Sequence, residues 1–150
     1  MAVAAYVTTH ARLQLYEYLS ALGKSVLYCD TDSVVFLQKD NDPPKVKTVD
    51  YLGDITNELE EYGPASLIQE FVSGGPKNYA FSAFCPSTGK RATEIKVKGI
   101  TLNYENSKVV NFTALRNMIL ENAAPVHVHN PKKIKMKQGG VVVSEPETKE

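Results

Sequence analysis

The chain has 150 residues, 43% of them hydrophobic and 23% charged, with a formal net charge of zero. That is enough chain for one domain with a real core, and the composition is ordinary for a globular protein. It excludes a membrane span, because no apolar run approaches the roughly 20 residues one needs, and the start, MAVAAYVTTHAR, has neither the basic nor the apolar stretch of a signal peptide. The zero balance hides an asymmetry. Residues 1–70 hold 5 Lys/Arg against 11 Asp/Glu, a net of −6, whereas residues 71–150 hold 12 against 6, a net of +6. An acidic half suits a cation site and a basic half suits a polyanion.

In chain order, Val3, Val7, Ala11, Leu15, Leu19 and Leu22 recur at helical spacing and predict a first helix, closed by Gly23. Ser25–Cys29 and Val34–Leu37 are β-prone runs around an Asp-rich turn, which predicts a hairpin. Residues 38–50 are polar with a Pro-Pro step and predict an exposed loop. A second helix is expected from Tyr51 to Tyr62, ended by Gly63 and Pro64. Two strands should flank Ser73-Gly74-Gly75-Pro76, and another should run from Thr93 to Lys98. Asn106-Ser107 can cap a helix reaching Glu121, with Val109, Phe112, Leu115, Ile119 and Leu120 on its apolar stripe. The tail predicts a hairpin about Gly139-Gly140. Helices mixed with antiparallel hairpins make an α+β chain.

The chemistry concentrates at Tyr28-Cys29-Asp30-Thr31-Asp32-Ser33. Two carboxylates one residue apart project to similar sides of an extended chain. On a hairpin they form a compact negative site for a hard divalent cation such as Mg²⁺. Two such ions about 4 Å apart can activate an attacking 3′-hydroxyl and neutralise a departing pyrophosphate. An Asp-x-Asp alone also fits a solvated turn.

The context is more specific. AAYVTTHARLQLYEYLSALGKSVLYCDTDSVVF resembles the helix, strand and third palm motif, YxDTDS, of family B DNA polymerases. FVSGGPKNYAF supplies a Lys-x-Tyr at Lys77 and Tyr79, similar to the primer-end motif of the protein-primed branch, which includes adenovirus and phage enzymes. IKVKGITLNYENSKVVNF is similar to the following segment in Polinton or Maverick transposon members. The resemblance covers about residues 3–122.

It implies a palm region over residues 1–105 and a thumb-like helix and hairpin over residues 106–150. It implies a DNA-directed DNA polymerase that adds deoxynucleotides to a DNA 3′-end for a virus or mobile element. Asp32 would ligate Mg²⁺ directly, with Asp30 supporting the site electrostatically or binding the metal less directly. Tyr28 and Thr31 would shape the nucleotide-facing surface. Lys77, Tyr79 and Lys98 would contact the primer strand, using ammonium groups for phosphates and a phenol for sugar or backbone. Primer-template DNA, a deoxynucleoside triphosphate, a terminal-protein primer and the rest of the polymerase are the implied partners. An intracellular place, the nucleus or the site of element replication, goes with them.

The family's earlier DxxSLYP and KxxxNSxYG motifs do not occur in the 150 residues. The chain is therefore expected to be inactive alone, and to expose apolar surface and sheet edges that missing strands would cover.

Two other readings fit parts of the sequence. VLYCDTDSVV matches the phosphatase signature of haloacid-dehalogenase-like enzymes, with Asp30 as nucleophile, Asp32 as acid/base and a GDxxxE string at Gly53–Glu58. That fold needs several βα units between the two motifs, where only about 20 residues are available. An Asp-x-Asp also occurs in glycosyltransferases, but nothing nearby suggests a nucleotide-sugar fold. The non-enzymatic alternative is a remnant that binds DNA or a partner, and Lys132, Lys133, Lys135 and Lys137 form its basic group. His127 and His129 alternate with no further ligand nearby, so a metal site there is not expected. His10 reads as a polar helix residue, Tyr16, Tyr18, Tyr51 and Tyr62 as packing residues, and Cys29 and Cys85 as free thiols of a reducing compartment.

Overall fold

A computed structural model of the chain describes residues 2–49, 51, 53–136 and 142–149. The chain is α+β. It divides into two compact units, Met1–Glu58 and Leu59–Glu150.

The first unit begins with α1, Ala2–Leu22, a helix of 21 residues. Gly23 follows at φ +52, a left-handed backbone that glycine adopts without a Cβ penalty, and the chain leaves the helix there. The apolar stripe of α1 is only partly used. Leu22 is buried and Leu15 and Leu19 are half-buried, but Val3, Val7 and Ala11 are exposed, as are Tyr6, Leu13 and Tyr16. Tyr16 and Tyr51 thus depart from their expected packing role. Periodicity sets where a helix could bury a face, and burial needs a partner surface that the first three turns of α1 do not meet within this unit.

Strands β1 (Val26–Asp30) and β2 (Ser33–Phe36) pair antiparallel as a two-stranded sheet. Leu37 N–H extends the ladder to Ser25 O at 2.8 Å. Residues beyond β2 form the expected polar loop, anchored where Lys45 Nζ donates to Ser25 Oγ at 2.6 Å.

The helix expected over residues 51–62 does not form. Its described residues make turns, and only Glu58–Tyr62 is helical, as a short 3-10 turn. Gly53 sits at φ +93, outside helical backbone, and Gln14 Nε2 donates to its carbonyl at 2.6 Å. Asp54, Thr56 and Asn57 add poor helix formers, so the segment has little backbone propensity for the expected helix.

The second unit is built on a sheet in the order β3 (Leu67–Gly75), β4 (Asn78–Cys85), β5 (Lys90–Val97). The turn between β3 and β4 is Pro76-Lys77, two residues later than the Gly74-Gly75 centre of the expected turn. Proline presets the first corner. Lys77 takes the second at φ +56, the left-handed site that a type II turn requires.

The helix expected from Asn106 to Glu121 is two helices, α2 (Tyr104–Val109) and α3 (Phe112–Leu120). Asparagines divide them. Asn103 Oδ1 accepts from Asn106 N–H, and Asn111 Oδ1 accepts from Ala114 N–H, both at 2.9 Å. Each thereby satisfies a donor that a helix start leaves unpaired, which favours a new start over continuation. Helix α3 covers one sheet face: Leu115 packs with Val72 and Ala80, and Ile95, Phe112, Met118 and Ile119 close around them. Val109 and Leu120 of the expected stripe stay exposed. Arg116 Nε reaches Glu70 Oε2 at 3.5 Å, a half-exposed pair that adds little stability.

In the tail, β6 (Val128–Met136) pairs antiparallel with β7 (Val142–Lys149). The expected Gly139-Gly140 turn and Lys137 lie outside the described residues. Among the described residues, no helix is long and apolar enough to cross a membrane.

Candidate functional site

The Asp-x-Asp lies at the tip of the β1–β2 hairpin. Asp30 pairs with Ser33, leaving Thr31 and Asp32 as the turn. Along β1, Val26, Tyr28 and Asp30 are half-buried and Leu27 and Cys29 exposed, the alternation of a strand with one covered face. Tyr28 therefore shares a strand face with Asp30.

Backbone between the two aspartates is not extended, contrary to the expectation. Thr31 has φ +51, and Asp32 N–H donates back to Asp30 O at 2.6 Å. A β-branched residue in this region is a real outlier, and such a tight turn costs energy. Side-chain bonds hold it in place. Thr31 Oγ1 donates to Asp30 Oδ1 at 3.0 Å, and Ser33 Oγ donates to Asp30 O at 3.1 Å. Asp30 is thus half-buried and engaged by its own turn, while Asp32 is exposed at the tip.

The two carboxylates suit part of a Mg²⁺ site. Magnesium is commonly held by one or two carboxylates together with substrate phosphates, and keeps several waters. No group of three or more His, Cys, Asp or Glu side chains able to hold a metal exists among the described residues. His129 Nδ1 instead lies 3.2 Å from Thr148 Oγ1 across the β6–β7 pair.

Lys77 and Tyr79 belong to the second unit. Lys77 is exposed at the β3–β4 turn, and Tyr79 is half-buried on β4. The Tyr79 ring lies 5.9 Å from that of Phe71, tilted by 30°. Lys98 is exposed just past the end of β5. Lys132, Lys133 and Lys135 fall on β6.

A scan of protein-family models, a search of curated proteins and a search of solved structures each find no match to this chain.

Two further residues stand out, Lys96, which the sequence did not single out, and Cys85, which it read only as a free thiol. Lys96 lies directly across from Tyr79 in register. Its signal was present in Ile95-Lys96-Val97-Lys98, where strand period places both lysines on one face. Cys85 is buried at 1% exposure, its sulfur 3.1 Å from Ser87 Oγ. A Cβ on Gly63, whose φ is +123, would come within 2.7 Å of that sulfur, so glycine permits the close approach.

Hydrogen bonds from Ser87, Thr88 and Ser66 lower the Cys85 pKa from 9.0 to about 6, against the burial that raises it. The folded thiol is then more acidic than the unfolded one. Between pH 6 and 9 the unfolded chain binds more protons, so this contribution is present above pH 9 and is lost as pH falls through 6. The urea midpoint of the native chain, relative to Cys85→Ala, should therefore rise from pH 6 to pH 9. A constant difference would contradict it.

Proposed function

We propose that the chain is the C-terminal part of the palm, running into the thumb, of a family B DNA polymerase of the protein-primed kind. One observation carries the reading: YCDTDS forms a tight β-hairpin with an exposed Asp32 at its tip and a braced Asp30 behind it. Carboxylate chemistry on a rigid hairpin is what phosphoryl transfer to a DNA 3′-end requires.

In this reading Asp32 would hold Mg²⁺ directly. Asp30 lends negative charge and fixes the turn. When bound, Mg²⁺ would supply activation of the 3′-hydroxyl and neutralisation of the leaving pyrophosphate. Tyr28 and Thr31 shape the surface beside the incoming nucleotide. Lys77 and Tyr79 steady the primer strand, one through a phosphate and one through sugar contact. The aspartate of DxxSLYP and the lysine of KxxxNSxYG would come from the remainder of the polymerase, since neither motif is in this sequence.

The isolated chain should therefore show no Mg²⁺-dependent primer extension. Robust extension by the purified 150-residue protein would contradict the incomplete-site reading. Hydrolysis of a generic phosphomonoester would move the assignment to the phosphatase class. The antiparallel pairing of β1 with β2 weighs against that class, whose signature strand belongs to a parallel sheet of βα units. The residues Gly53–Glu58 also lie in turns and at the start of a short 3-10 segment.

The second reading, a remnant that binds DNA without catalysis, is favoured by the lysines at one end of the β3–β4–β5 sheet. Binding through phosphates should weaken steeply with salt, because it releases condensed counterions.

A further inference from the structure

We infer that Lys96 is an additional contact for the sugar-phosphate backbone of a DNA strand, acting beside Tyr79 at the Lys77 end of the β3–β4–β5 sheet. The identity of the ligand rests on the polymerase reading above; the geometry stands apart from it.

The sheet has two faces. Helix α3 covers the one that carries Val72, Ala80 and Ile95. The other face carries Phe71, Ser73, Tyr79, Phe81 and Lys96, by the alternation of their registers. Toward its Cys85 end this second face is capped by the chain before β3. Tyr62 meets Phe81 edge-on at 6.3 Å, and Gly63 approaches Cys85.

The opposite end carries the β3–β4 turn. There the row across the three strands is Ser73, Tyr79, Lys96. Directly opposed residues place their Cβ atoms about 5 Å apart, so the Lys96 ammonium can lie beside the phenol ring. Phe71, half-buried, packs against Tyr79 and fixes the ring's tilt. Lys96 is exposed, and among the described residues no carboxylate forms an ion pair with it. Glu94, on the same face one row away, does not neutralise it.

The same end gathers two more cations by topology. Asn78 pairs with Val97, so the β3–β4 turn bearing Lys77 and the exit of β5 bearing Lys98 are neighbours. Three lysines from two separate stretches of sequence thus lie at the same end of the sheet as Tyr79. A phosphodiester backbone offers what this row selects: anionic oxygens for the ammonium groups, and a sugar for the ring. The excess of cations over residues 71–150, 12 Lys/Arg against 6 Asp/Glu, matches that charge.

Fluorescence anisotropy of the full chain on a labelled primer-template, across a sodium chloride series, tests this. Lys96→Ala should weaken binding about fivefold and make the salt dependence shallower by about one released counterion. Lys96→Arg should bind as the native chain does. Lys90→Ala, at the far end of the same strand opposite Cys85, should change neither quantity. Urea midpoints matching the native value would show that each variant is folded.

If Lys77→Ala and Lys98→Ala weaken binding while Lys96→Ala does not, the inference fails and the polymerase reading stands. If the native chain shows no salt-dependent DNA binding, both fail. Equal displacement of the DNA by polyglutamate would assign the row to an acidic protein segment and overturn the DNA assignment.

Discussion

Asp32→Asn, placed in a polymerase that contains this chain and its upstream part, should reduce primer extension by about a thousandfold or more, the scale of losing preorganised charge stabilisation at a reacting centre. DNA affinity should change by less than about twofold, because one hairpin-tip carboxylate makes no favourable contact with phosphates. The change is clean for a structural reason. Asp32 is exposed, and the turn is held by Thr31, Ser33 and the carbonyl and carboxylate of Asp30. Asparagine keeps the shape of the side chain and removes the charge that a hard cation needs. Asp30→Asn is less clean, since the Asp30 carboxylate accepts the Thr31 hydroxyl and its replacement disturbs the turn as well. Single-turnover extension with saturating nucleotide, alongside DNA binding, separates these effects. Near-normal extension by Asp32→Asn would remove Asp32 from the metal.

Leu115→Ala should destabilise the second unit by about 3 kcal/mol, within the range for deleting a buried leucine. Leu115 is 3% exposed and is the side chain through which α3 meets Val72 and Ala80. The large neighbours Phe112, Met118 and Ile119 lie on the same helix and Ile95 on β5, so filling the vacated space fully requires helix and sheet to approach each other. A cavity therefore persists, and its cost adds to the lost transfer energy. Domain stabilities are typically about 5–15 kcal/mol, so a loss of this size should shift the urea midpoint plainly. A change under about 1 kcal/mol would mean that α3 is not the cover of this sheet.

Legibility in the sequence followed the physics of each signal. The β1–β2 hairpin was readable because two aliphatic runs bracketed a turn too polar to be buried. The first helix was readable from period alone, but the exposure of Val3, Val7 and Ala11 was not. A stripe says which face seeks cover, and only tertiary contacts say whether cover is present. The expected helix over residues 51–62 does not form because Gly63 and Pro64 mark only where a helix could end, while Gly53, Asp54, Thr56 and Asn57 disfavour one. The break between α2 and α3 was announced by Asn111, whose capping role competes with helix continuation.

At the site, the residue types were legible and the backbone was not. Asp30, Asp32, Lys77 and Tyr79 could be named from motif spacing. Positive φ at Thr31 and Lys77 could not, since both residues ordinarily avoid it. Strand period marks Lys96 as sharing a face with Lys98, but its place opposite Tyr79 depends on register, which no local pattern encodes.

The most direct measurement is the reading frame of the transcript upstream of Met1. A frame that runs in through a DxxSLYP-like segment and then a KxxxNSxYG-like segment is the predicted result, and it would supply the second metal aspartate and the triphosphate lysine. A frame that carries neither segment would contradict a catalytic role for the Asp30–Asp32 hairpin.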